Sequence, residues 1–212
     1  MAIFDPFIFK NLRKSLGNIT LCKYNDVNVM KTKITQRHDP GTPAVLAQRA
    51  RMREAGKLSQ AFAPALQKGF VKHRLKNRFN AFTSENMAAL EVDEAYQVTI
   101  HHEQLKCSAG ILVTPKVQAT LNTENRKIMF EQQEQTQGAF CLPTDAVFAV
   151  VYEPLCRTVE MVPLRDRGES GSTSFALPGD WDTDKVHIYC FATNKNGNIA
   201  SNTLYLPLNP SL

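Results

Sequence analysis

From about residue 95 onward the sequence is a succession of short apolar runs separated by polar turn clusters, a pattern that few folds accommodate. The runs are 96–101, 105–113, 117–121, 127–132, 146–152, 158–163, 173–177, 185–192 and 199–206. Between them stand "NTEN", "RDRGESGS", "LPGDWDTD" and "TNKNGN". Gly, Asn, Asp and Ser tolerate turn dihedrals that other residues resist, so each cluster can reverse the chain. Many short strands joined this way predict a mostly antiparallel β-sandwich, here expected to fold on its own over residues 95–208.

The N-terminal part follows different rules. In residues 18–34, Ile19, Leu21, Val27 and Val29 alternate with polar residues, and "YND" supplies a turn, so a β-hairpin is expected. A loop over 36–43 leads to Thr42 and Pro43, which suit a helix start. A helix is expected from 43 to about 62, with Met52, Ala55, Leu58 and Phe62 on its apolar side. Pro64 should end or bend it. A second helical stretch is expected over about 65–90, interrupted near Thr83–Ser84. The class is therefore α+β, with a basic hairpin-plus-helix arm (1–94) and an acidic sandwich domain (95–212).

Charge separates the two parts. Residues 1–80 hold 16 Lys and Arg against four acids, a net of +12; residues 81–212 hold nine against 16, a net of −7. Within the basic part, Arg49, Arg53 and Lys57 recur at i, i+4, i+8, and Lys68, Lys72 and Lys76 repeat that spacing. Like charges so placed repel by a few tenths of a kcal/mol per pair, a cost that an anionic neighbour offsets. These six residues are the candidate docking set. The neighbour is an acidic protein surface, the acidic sandwich of another copy, or nucleic acid. No aromatic residues interleave the stripes to stack bases, and no nucleic-acid module is recognisable, so protein is favoured.

Other chemistry finds little support. No apolar run approaches the ~20 residues of a membrane helix. The N-terminus places its apolar stretch before its basic one, the wrong order for a secretory signal, so the expected location is cytoplasmic or virion-associated. Five scattered cysteines without CxxC spacing suggest reduced, mostly buried thiols, with one disulfide in the C-terminal part as the alternative. His101 and His102, read on a strand, would point to opposite faces. "DWDTD" alternates carboxylates like a calcium loop but lacks the loop glycine and the closing Glu, so it reads as an aspartate-capped turn around Trp181. There is no GxSxG elbow, and "GESGS" is too short for a phosphate loop. No catalytic residue, metal ligand, cofactor or small-molecule substrate is indicated.

The stretch 17–52, with "GN" at 17–18, the hairpin and "TPAVLAQRARM", resembles a family of uncharacterised Bacteroidota proteins that carries only a domain-of-unknown-function label. Its members show an Asn-Pro-x-Thr-x-Ala-Gln core before an Arg-rich helix; here Asp39–Pro40 replaces Asn-Pro and Val45 replaces Gln. Residues 175–206 are similar to the last strands of the same family. The resemblance implies a hairpin-plus-helix N-terminus, a C-terminal sandwich and no particular activity. Residues 175–206 also resemble a fibronectin type III domain, with "LP" ahead of the penultimate strand and "ATNKNG" after it. Val186 occupies the position of the corner tyrosine, so that comparison implies an Ig-like sandwich and nothing finer. The expectation is a non-enzymatic structural or interaction protein in a multi-copy bacterial or phage-related assembly, with a backbone-reading nucleic-acid binder as the alternative.

Overall fold

The computed structural model describes residues 2–3, 13–24, 27–34, 36, 39–70, 77–135 and 138–210. Contacts divide the chain into two units, Met1–Val45 and Leu46–Leu212. In the first, β1 (Ala2–Ile3), β2 (Lys14–Leu16), β3 (Ile19–Tyr24) and β4 (Val27–Thr32) form an antiparallel sheet in the order β1-β4-β3-β2. The expected hairpin is β3–β4, although its turn residues 25 and 26 lie outside the described residues. Gly17, at φ 58°, lets the chain reverse between β2 and β3. Leu16, Ile19, Tyr24 and Val27 are exposed.

The second unit is layered. α1 (Pro43–Ala61), α2 (Ala63–Gly69) and α3 (Arg78–Asn86) precede a small hairpin of β5 (Leu90–Val92) and β6 (Val98–Ile100). Then come β7 (Val117–Asn122), β8 (Lys127–Gln132), β9 (Ala146–Glu153), β10 (Thr158–Asp166), β11 (Gly171–Ala176), β12 (His187–Thr193), β13 (Leu204–Leu206) and β14 (Asn209–Pro210). They build two sheets, β10-β9-β12-β13 and β11-β8-β7-β14, in which the β14–β7 pairing is parallel and the rest antiparallel. The chain is thus α+β and mostly antiparallel. No helix among the described residues is long and apolar enough to cross a membrane.

β9 and β12 explain the layering. Apart from the first residue of each, both are buried along their whole length. Continuous apolar runs of this kind cover two faces at once. Val147, Ala149 and Val151 of β9, with Ile188, Cys190 and Ala192 of β12, meet Ala119, Leu121, Ile128 and Phe130 of the opposite sheet. The alternate residues Phe148, Val150, Tyr152, Tyr189 and Phe191 meet Leu58, Phe62, Leu66, Phe70 and Phe82 of the helical region. Phe62 is central there, with its ring 4.9 Å from Tyr152, 5.7 Å from Tyr189 and 5.6 Å from Phe82. α2 ends against the 107–108 segment so closely that a Cβ at Gly69 would collide with the Cys107 carbonyl oxygen.

Several expectations need correction. Contacts group residues 46–94 with the strands that follow, because the apolar faces of the helices are buried on β9 and β12. The second helical stretch breaks after Gly69, where Phe70 is already extended, and the chain is helical through Thr83–Ser84. Asn77 restarts it by accepting a hydrogen bond from the Asn80 amide at 2.8 Å. Residues 105–113 hold no strand; Ser108 and Cys107 are instead tied to the Thr203 hydroxyl. All five cysteines are free thiols, three of them buried.

Candidate functional site

On α1 the buried residues are Ala50, Ala55, Leu58 and Ser59. Arg49, Arg53 and Lys57 are exposed. Met52, expected on the apolar side, is 49% exposed. At ~100° per residue it stands about 120° from Leu58, too far around to reach the sheet. The basic residues differ in their surroundings. Lys57 lies 3.3 Å from Glu54, and Glu54 also binds Arg157 at 2.7 Å. The only acid on α1 therefore compensates two cations at once. Lys68, on α2, places its ammonium 4.1 Å from the centre of the Phe148 ring, a cation–π contact on the sheet. It does not continue the α1 stripe. Lys72 and Lys76 lie outside the described residues.

The same helix carries an arginine on its other side. Arg51 stands only about 20° from Leu58 on the helical projection and is half-buried. Its Nε donates to the Leu90 carbonyl at 3.0 Å, and its Nη1 is 3.5 Å from Gln48 Oε1. Arg51 borders a cleft of about 390 Å³ with Glu91, His101 and Gln104 on its walls. His101 Nε2 and Glu91 Oε2 are 3.0 Å apart across the β5–β6 hairpin. Sequence reasoning missed this group. The signal was an arginine at a core-facing helical position, which the stripe of exposed cations obscured.

A second cluster joins residues far apart in the chain. His102 sits in a turn of 3-10 helix, not on a strand, and its ring stacks on His187 at 4.0 Å with 14° between the planes. His187 Nδ1 is 3.1 Å from the Tyr205 hydroxyl, and the Tyr189 hydroxyl donates to the His102 carbonyl at 2.9 Å. Burial, reinforced by the neighbouring His187, lowers the His102 pKa to about 4, against an opposing pull from Glu103. Burial also lowers that of His187. Both rings are therefore neutral in the folded protein at pH 7. In the unfolded chain they titrate near ~6.5. Between pH 6.5 and 4 the unfolded state binds more protons, so stability falls as pH is lowered through that window. After allowance for solvent screening the loss should be about 1–2 kcal/mol. Denaturation midpoints at pH 7, 6 and 5 check this. The double variant His102→Gln/His187→Gln should show a flatter pH dependence than the natural chain; equal slopes would refute the assignment.

Asp182 of "DWDTD" accepts from the Asp184 amide at 3.2 Å and pairs with Lys185 at 3.2 Å, while Trp181 is buried. These contacts make the segment a capped turn.

No curated protein and no solved structure matches the chain. A match that runs from residue 11 to residue 207, through both units, places the chain in DUF6266, a family of unknown function.

Proposed function

We propose that the protein is a non-enzymatic interaction protein whose α1 docks on an acidic protein surface through Arg49, Arg53 and Lys57. The observation that carries this reading is the orientation of α1. Its opposite face is buried in the core of the second unit, so these three exposed cations project from an element that cannot turn away. A helix already fixed in the core loses little backbone freedom on binding, so the ordering cost falls mainly on the exposed side chains, about 0.5–1.5 kcal/mol each. The acidic balance of residues 81–212 makes a second copy of the chain one such surface. The rigid body behind α1 we read as an Ig-like sandwich. Lettering β7 to β13 as A, B, C, C′, E, F and G gives one sheet A-B-E and another C′-C-F-G, which supports that reading.

The test uses Arg53→Glu and the double variant Arg49→Glu/Arg53→Glu. Sedimentation at low and high salt, with and without fluorescent polyglutamate, should show association that weakens with salt and is lost in the double variant. Screening over a Debye length of ~8 Å at physiological strength sets the salt range. Duplex DNA bound in preference to polyglutamate would replace this reading with the nucleic-acid one. Binding indifferent to both substitutions would remove it.

A further inference from the structure

We propose that the cleft between α1 and the β5–β6 hairpin binds a carboxylate carried on a small apolar body, with Arg51 as its anchor. The inference goes beyond the docking face, because Arg51 lies on the opposite side of α1 from Arg49 and Arg53 and would take a different ligand.

The first argument is the state of Arg51. Its guanidinium is half-buried, and no carboxylate lies within ion-pair distance of it among the described residues. A cation partly withdrawn from water without a counter-charge is unfavourable, and a bound anion relieves it. The Nε bond to the Leu90 carbonyl fixes the plane of the group. A fixed guanidinium is suited to the two oxygens of a carboxylate, which it can bind with paired hydrogen bonds.

The second argument is the remaining lining. The side-chain amide of Gln104 makes no hydrogen bond among the described residues, so its N–H groups are available to the same anion. Glu91, the one acid on the wall, is already held by His101 at 3.0 Å. That contact keeps part of its charge engaged, yet Glu91 must still oppose an incoming anion. Met87 and Ala88 provide the apolar part of the lining, while Leu90, 2% exposed, contributes the carbonyl that holds Arg51. A cleft of about 390 Å³ is at the small end for ligand sites and suits a short branched chain. The shared chemistry is met by a free branched carboxylic acid or by the last residue of a peptide.

The experiment is an NMR titration of the full chain labelled with nitrogen-15, following the Arg51 Nε–H and Gln104 amide resonances. The probes are isovalerate, N-acetylleucine and the neutral N-acetylleucinamide. Saturable shifts are expected with at least one carboxylate at millimolar concentration. N-acetylleucinamide should bind about tenfold more weakly, as expected for loss of a charged hydrogen-bond partner. Glu91→Gln should tighten carboxylate binding, and Arg51→Lys, which keeps the charge but loses the planar fork, should weaken it. Saturation by N-acetylleucine alone assigns the site to a peptide C-terminus; saturation by isovalerate alone assigns it to a free acid. The proposal is overturned if neither carboxylate gives saturable shifts up to about 50 mM, where even affinities of a few kcal/mol register. It is equally overturned if the neutral amide binds as well as the acid. An Arg51 that only ties α1 to Leu90 would leave the acid–amide difference absent in the natural chain, so the test stands even if Arg51→Lys folds poorly.

Discussion

Residues 95–212 expressed alone will not give a soluble, cooperatively folded sandwich. The fragment keeps every strand of the two facing sheets but loses the helices that cover the outer face of β9 and β12. Phe148, Val150, Tyr152, Tyr189 and Phe191 would then face water. At about 1.5–3 kcal/mol for each large side chain, five of them remove roughly 8–15 kcal/mol. That is as large as the whole stability of an ordinary domain, about 5–15 kcal/mol. The fragment 46–212 restores the cover and should melt cooperatively. Circular dichroism and solubility of the two fragments decide the matter. A sharp thermal transition in residues 95–212 would show that the helices are an accessory, not a layer of the core.

The strands were legible because their signals are local. Residues 127–132 alternate and form β8 over the same residues. The helix of residues 43–62 was marked by Pro43 and an apolar stripe, and α1 ends one residue earlier. The helical cover was less visible, although 146–152 contains no residue that prefers water and so could not have had a wet face. Reading that run only as a strand left out the helices that pack on its second face. The short strands β5 and β14 carry too few residues for a periodic pattern, whereas β13 falls within the expected run 199–206. In 105–113 the Cys107 and Ser108 amides bond to the Thr203 hydroxyl and only Leu112 makes an isolated bridge, to Ser201. The His102–His187 stack could not be read at all, since each histidine is ordinary in its own neighbourhood and only the fold joins them. Of the candidate docking residues, the exposure of Arg49 and Arg53 followed from helical geometry. The ion pair of Lys57 and the Phe148 contact of Lys68 depend on tertiary neighbours.

Arg167→Met should lower stability more than almost any other single substitution. Arg167 and Asp145 are each 1% exposed, and Arg167 Nε lies 3.4 Å from Asp145 Oδ2. Its Nη1 donates to Gln135 Oε1 at 3.1 Å, and its Nη2 donates to the Val113 carbonyl at 2.6 Å. The Arg167 amide also donates to the Asp145 carbonyl at 2.8 Å. One side chain thereby fastens three loop segments, around residues 113, 135 and 145, at the end of the sandwich. Methionine fills similar volume but leaves the Asp145 carboxylate buried without a counter-charge. Removing one member of a buried pair costs about 3–5 kcal/mol. For a chain of this size that lowers the melting temperature by roughly 6–20 °C. Asp145→Asn should also destabilise, because it leaves the Arg167 guanidinium buried without a counter-charge, although the hydrogen bonds of Arg167 to Gln135 and Val113 remain. The double variant Arg167→Met/Asp145→Leu should recover part of the loss, since no isolated charge then remains in the interior. A double-mutant cycle by thermal denaturation measures this coupling. Losses that simply add would mean that Asp145 and Arg167 act independently, through their separate bonds to the loops.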